Sequence, residues 1–184
     1  GNIISYDSSG DPVAIATGSD GQVLTSSGAG TQPAFEGISI GSLSDATATA
    51  TSNLGLGTNS VNSITTGDLN IGFGVESGTA ITTGSRNITI GHSSGALITT
   101  GNYNTAVGSY ALAATTTVAE NTALGYKSMQ ANTTGASNTA VGAYSLDANT
   151  TGGSNVALGK SALAANTTAN ANTAVGYEAL LNNT

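Results

Sequence analysis

Asn104–Leu112 reads NTAVGSYAL, and the phrase returns as NTALGYKSM at Asn121–Met129, NTAVGAYSL at Asn138–Leu146 and NTAVGYEAL at Asn172–Leu180. Aligned on the asparagine, the pattern extends to Asn53, Asn70, Asn87, Asn104, Asn121, Asn138, Asn155 and Asn172, 17 residues apart throughout. A glycine follows each at the fifth place: Gly57, Gly74, Gly91, Gly108, Gly125, Gly142, Gly159 and Gly176. Eight copies in one unbroken period specify a stacked architecture, because a unit this short cannot bury an apolar face alone.

Numbering each unit from its Asn, place four is always apolar and place three is Gly, Ala or Thr. Place eight is Ser or Ala, place nine is mostly Val, Leu or Met, and places thirteen and fourteen are Thr-Thr. Apolar places two, four, nine and eleven step by two, the period of an extended strand. This predicts two short strands per unit, roughly NTAVG and SLxAN, joined by a glycine turn and a TTG turn. Pairing each strand with its counterpart one unit later winds the chain into a parallel β-solenoid, identical residues lying about 4.8 Å apart. The Asn column then forms an amide ladder, and Gly at place five allows positive φ. Such a thin coil buries little apolar surface against its ordering entropy. Further burial is needed, and the small residues at places three and eight let another backbone approach closely, so a homotrimer with that face turned toward a shared axis would supply it.

Composition agrees with a thin interior. Of 184 residues only 7% are charged and 4% aromatic, with no Trp and no Cys. A net charge of −7, with Arg86, Lys127 and Lys160 as the only Lys or Arg, argues against nucleic acid or an anionic membrane surface as partner. No apolar run is long enough for a membrane-spanning helix. Residues 1–45 lack the period but hold strand-like pieces, PVAIA from Pro12 and QVLTS from Gln22, and are expected to form a β-rich connector or cap. Residues 46–52 lie in a segment, Ser42–Ser52, that reads as a linker or a degenerate first coil, and 53–184 as the roll, its eighth repeat incomplete. Place twelve changes from Ile64, Ile81 and Ile98 through Thr115 to Asn132, Asn149, Asn166 and Asn183, predicting a change in cross-section.

The NTAVGxxAL unit resembles the head repeat of trimeric autotransporter adhesins, and the NTAVGYxAL…NTTG spelling is similar to repeats of bacteriophage tail fibres and of surface proteins of aquatic bacteria. GSDGQVLTSSGAGTQPAFEGI, Gly18–Ile38, is similar to a module of phage tail-fibre proteins. The resemblance implies a left-handed, homotrimeric β-roll in a virion appendage that contributes to host attachment. Its partners would be other fibre or virion subunits at the ends and a host-surface glycan or protein. The alternatives are the head of a bacterial surface adhesin, placed on the cell exterior, and an ice-binding solenoid built on the Thr columns. A unit of 17 departs from the shorter autotransporter repeat, and that family's stalk and anchor are absent from these residues.

Chemistry-bearing residues are sparse. His92, the only histidine, reads as a surface turn residue rather than a metal ligand or triad member. Asp68, Glu120 and Asp147 fall at different places, and Glu76 and Glu178 share place seven but stand six units apart, so no neighbouring carboxylate pair recurs on one face. Left-handed β-helix acyltransferases use similar repeats, but with an 18-residue coil and a catalytic His. No enzyme activity, catalytic residue, cofactor or metal is expected. NTT, NIT and NNT triplets match the N-glycosylation pattern but read as Asn turns beside a Thr ladder. Tyr110, Tyr126, Tyr144 and Tyr177 lie one or two places after the turn glycine, projecting outward. Such rings either contact a sugar or protein partner or fill the groove between trimer chains.

Overall fold

In the computed structural model, residues 3–6, 12–15, 22–25, 34–37, 46–49 and 52–183 are described, the last stretch with its side chains. The chain divides into two units, Gly1–Leu43 and Ser44–Thr184. In the first, β1 (Ile3–Tyr6) pairs antiparallel with β2 (Pro12–Ile15), and β3 (Gln22–Thr25) with β4 (Ala34–Gly37). Both strand-like pieces read from sequence are thus strands; the Gly-rich turns between them lie outside the described residues.

The second unit is a β-solenoid of 17-residue coils, with no helix among the described residues. One strand per coil forms its single sheet: β6 (Asn53–Leu56), β7 (Ile71–Phe73), β8 (Ile88–Ile90), β9 (Thr105–Val107), β10 (Thr122–Leu124), β11 (Thr139–Val141), β12 (Val156–Leu158) and β13 (Thr173–Val175). They pair in parallel in chain order, each residue opposite the one 17 places later, as in Thr122↔Thr139 and Leu124↔Val141. Residues 46–49, read as linker, supply a ninth strand: β5 (Ala46–Thr49) runs antiparallel to β6 and occupies the sheet's first edge.

SLxAN is not a second strand. The N–H of Ser60 donates to Gly57 O at 3.1 Å and that of Ile81 to Gly78 O at 3.2 Å, so places five to eight and nine to twelve are consecutive tight turns. Places seven and nine have positive φ in every coil, with Tyr110 at 61° and Leu112 at 51°. The left-handed region interrupts any extended strand. Coils still pair here, as Val61 N–H donates to Ser77 O at 3.0 Å. At place five, φ runs from 122° to 141°, and a Cβ on Gly57 would lie 2.7 Å from the backbone of Gly74, which explains the invariant glycine.

The asparagine column closes each coil. Asn70 donates its backbone N–H (2.7 Å) and Nδ2 (2.9 Å) to Asn53 Oδ1, and its Nδ2 also to Gly84 O (2.9 Å) at the far end of the same coil. The pattern repeats at Asn87, Asn104 and Asn138. Only a side chain with donor and acceptor at one end can clasp its own coil and its neighbour together. From Asn70 to Asn155 these residues are buried, so the bonds are made where water cannot substitute.

Inside the coil lie places three, eight, nine and twelve: Ala106, Ala111, Leu112 and Thr115 in one coil, Ala140, Ser145, Leu146 and Asn149 two coils on, all fully buried. The small-residue columns therefore pack within one chain. They do not form the outward face expected to approach a partner, because the strand lies so close to the opposite turn that place three admits little more than a methyl group; a Cβ on Gly72 would sit 2.5 Å from Ser60 Oγ.

Candidate interaction surfaces

With place three inward, places two and four point out. Place four presents Leu56, Phe73, Ile90, Val107, Leu124, Val141, Leu158 and Val175 in single file, with Phe73 36%, Leu124 45%, Leu158 45% and Val175 66% exposed. Place two adds Leu54, Ile71, Ile88 and Val156 among threonines. Neither column holds a charge in any coil. Over seven rises the stripe is about 34 Å long, and stacked apolar columns of this kind mark contact surfaces.

Beyond the turn glycine, places six and seven form an edge of different chemistry. Each place-seven N–H donates to the place-six carbonyl of the preceding coil, as Tyr110 to His92 O and Tyr144 to Tyr126 O, both 3.0 Å. This staggers the side chains so that His92 meets Tyr110 edge-on at 5.2 Å and Tyr126 meets Tyr144 edge-on at 5.4 Å. Lys127 Nζ lies 5.6 Å from the Tyr126 ring centre and Lys160 Nζ 5.7 Å from that of Tyr177. The structure thus places the four singled-out tyrosines on one edge. Sequence reasoning missed that His92 and the two lysines join them; the shared places six and seven were the available signal. Tyr177 also bonds Glu178, which raises its phenol pKa above the ordinary value.

Of the remaining candidates, Glu76 and Glu178 lie on this same edge at place seven, and the others sit apart. Arg86 covers the Tyr103 ring at 5.4 Å on another edge, at place seventeen. Ser93 Oγ donates to Glu76 and Ser137 Oγ to Glu120, each at 3.2 Å. Burial pushes the Asp147 carboxyl above its usual range, with the Lys127 charge partly opposing. No three His, Cys, Asp or Glu side chains among the described residues could share a metal ion. On the threonine edge, place-thirteen hydroxyls donate to carbonyls one coil on, as Thr82 Oγ1 to Thr99 O at 3.2 Å and Thr150 Oγ1 to Thr167 O at 3.0 Å. Place fourteen, from Thr66 to Thr168, is exposed in single file.

No described helix is long and apolar enough to cross a membrane. No family model, no curated protein and no solved structure matches this chain.

Proposed function

We propose that the chain is a structural segment of a phage tail fibre or related virion appendage. In this reading it forms a left-handed homotrimeric β-roll that contributes to host attachment, with residues 1–45 as its connector, and does no catalysis. The observation that carries it is the charge-free apolar stripe of places two and four. Two columns about 7 Å apart and about 34 Å long leave on the order of 400 Å² of apolar surface facing water, the size of the largest patches on monomers. One partner in a stable interface buries about 800 Å². The stripe fits the centre of such an interface, flanking columns completing it, and a three-fold arrangement lets each chain meet two neighbours.

Support for a virion setting comes from the Gly18–Ile38 text. The head of a bacterial surface adhesin is the second reading, favoured by the NTAVGxxAL unit. Immunogold labelling of virions and of bacterial outer membranes separates the two. Sedimentation equilibrium tests the assembly: a trimer is expected for the wild type, and monomers with an unchanged β-sheet circular dichroism spectrum for Leu124→Asp/Leu158→Asp. A monomeric wild type, or a variant that stays trimeric, contradicts the proposal.

A further inference from the structure

The stripe and the tyrosine edge differ in one decisive respect: charge. Places two and four carry none, whereas places six and seven carry Glu76, Lys127, Lys160 and Glu178. Covering the edge with another copy of the chain would strip water from these groups, whereas covering the stripe strips it from hydrocarbon. The edge is therefore the part that stays in water when the stripe is covered. Two of the chain's three Lys and Arg residues, its one histidine and four of its six tyrosines lie there, although nothing in the folding of the coil requires an aromatic at either place. Thr58, Ala143 and Ser161 occupy the same columns without altering the strand or clasp geometry.

We propose that this edge binds a linear, equatorially linked polysaccharide lying along the solenoid axis. Rings in the His92–Tyr110 and Tyr126–Tyr144 pairs meet at 74° and 88°. Such pairing holds one ring of each pair fixed against the other. Aromatic faces take the C–H face of a pyranose, and Lys127, Lys160 and the interspersed Ser109 and Ser161 offer hydrogen bonds to its hydroxyls. A coil rise of about 4.8 Å is close to the length of one sugar residue, so a straight ribbon of sugars meets successive coils in step. Protein partners instead seek clustered, desolvated anchors, which a single file of half-exposed rings does not supply. The net charge of −7 sets nucleic acid aside.

This names the ligand class for the attachment role proposed above, and its test is separable from the test of assembly. Affinity electrophoresis of the full chain is run in gels containing hydroxyethyl cellulose, xylan, glucomannan or hyaluronan, with dextran as the flexible, axially linked control. Retardation by at least one of the first four and not by dextran is expected. Tyr126→Ser/Tyr177→Ser is expected to weaken it about tenfold, with sedimentation and circular dichroism unchanged, and Tyr126→Trp to retain it. Lack of retardation in all four gels, or retardation unaffected by the double substitution, overturns the proposal. A double variant with an altered sedimentation coefficient also overturns it, and assigns the rings to a chain–chain contact instead.

Discussion

Coils two and three and coils five to seven share one outline yet fill it oppositely. In the former pair, place nine is Gly78 or Gly95 and place twelve is Ile81 or Ile98; in the latter, place nine is Met129, Leu146 or Leu163 and place twelve is Asn132, Asn149 or Asn166. All of them are buried. A Cβ on Gly78 or Gly95 would fall 2.9 Å from Cδ1 of the isoleucine three places on. The isoleucine thus occupies, from place twelve, room that leucine fills from place nine. Where the amide replaces it, Asn149 Nδ2 reaches Asn132 Oδ1 at 2.8 Å and Gly152 O at 2.9 Å, adding a second ladder. What the repeat conserves in its core is filled volume, while the clasp and the turn glycine conserve identity.

The comparison can be broken hardest at the feature both regions share. Asn87→Ala and Asn138→Ala should each cost about 3–5 kcal/mol, because each orphans a buried carbonyl and a buried N–H of the next coil. Denaturant titration should find the two losses alike; a much smaller loss in either would show that the clasp is not common to both regions. Next comes Gly78→Leu, which adds volume where Ile81 already sits and should cost about 2–3 kcal/mol. Combining it with Ile81→Ala transfers the filling to place nine and should recover more than half of that loss, a coupling read from the same titrations.

The smallest effect concerns Asp147. Its folded-state pKa is raised by burial, so the protonated form favours folding and that contribution disappears as pH rises through the raised pKa. Asp147→Asn should therefore be slightly more stable than the wild type at neutral pH, by less than about 1 kcal/mol given the half-exposed setting, and melt at a higher temperature. The difference should vanish below the carboxylate range, as seen in thermal melts at both ends.

Period, stacking and the strand at places two to four were legible because 17-residue identity and β-branched residues report them directly. Which parity faced inward was not. Leu56 and Val107 looked like core and Ala106 like a contact face, since alternation alone does not reveal how thin the coil is. Leu112 and Ala114 at places nine and eleven mimicked a strand, because an αL backbone at Tyr110 or Leu112 leaves no mark when the residue is neither Gly nor Asn. The tyrosines' places beside the turn glycine were legible, but the pairing of His92 with Tyr110 depends on the one-residue stagger between places six and seven of adjacent coils, and that of Lys160 with Tyr177 on the same place in successive coils.

From Asn70 to Asn172 every clasp asparagine donates its backbone N–H to the side-chain oxygen of the asparagine one unit before it. Deleting or duplicating one whole unit leaves each donor facing an acceptor of the same kind, while losing a single residue leaves one coil a residue short and the clasp across that coil out of register. Such a fold changes length in whole steps, and its reach is a matter of copy number rather than redesign.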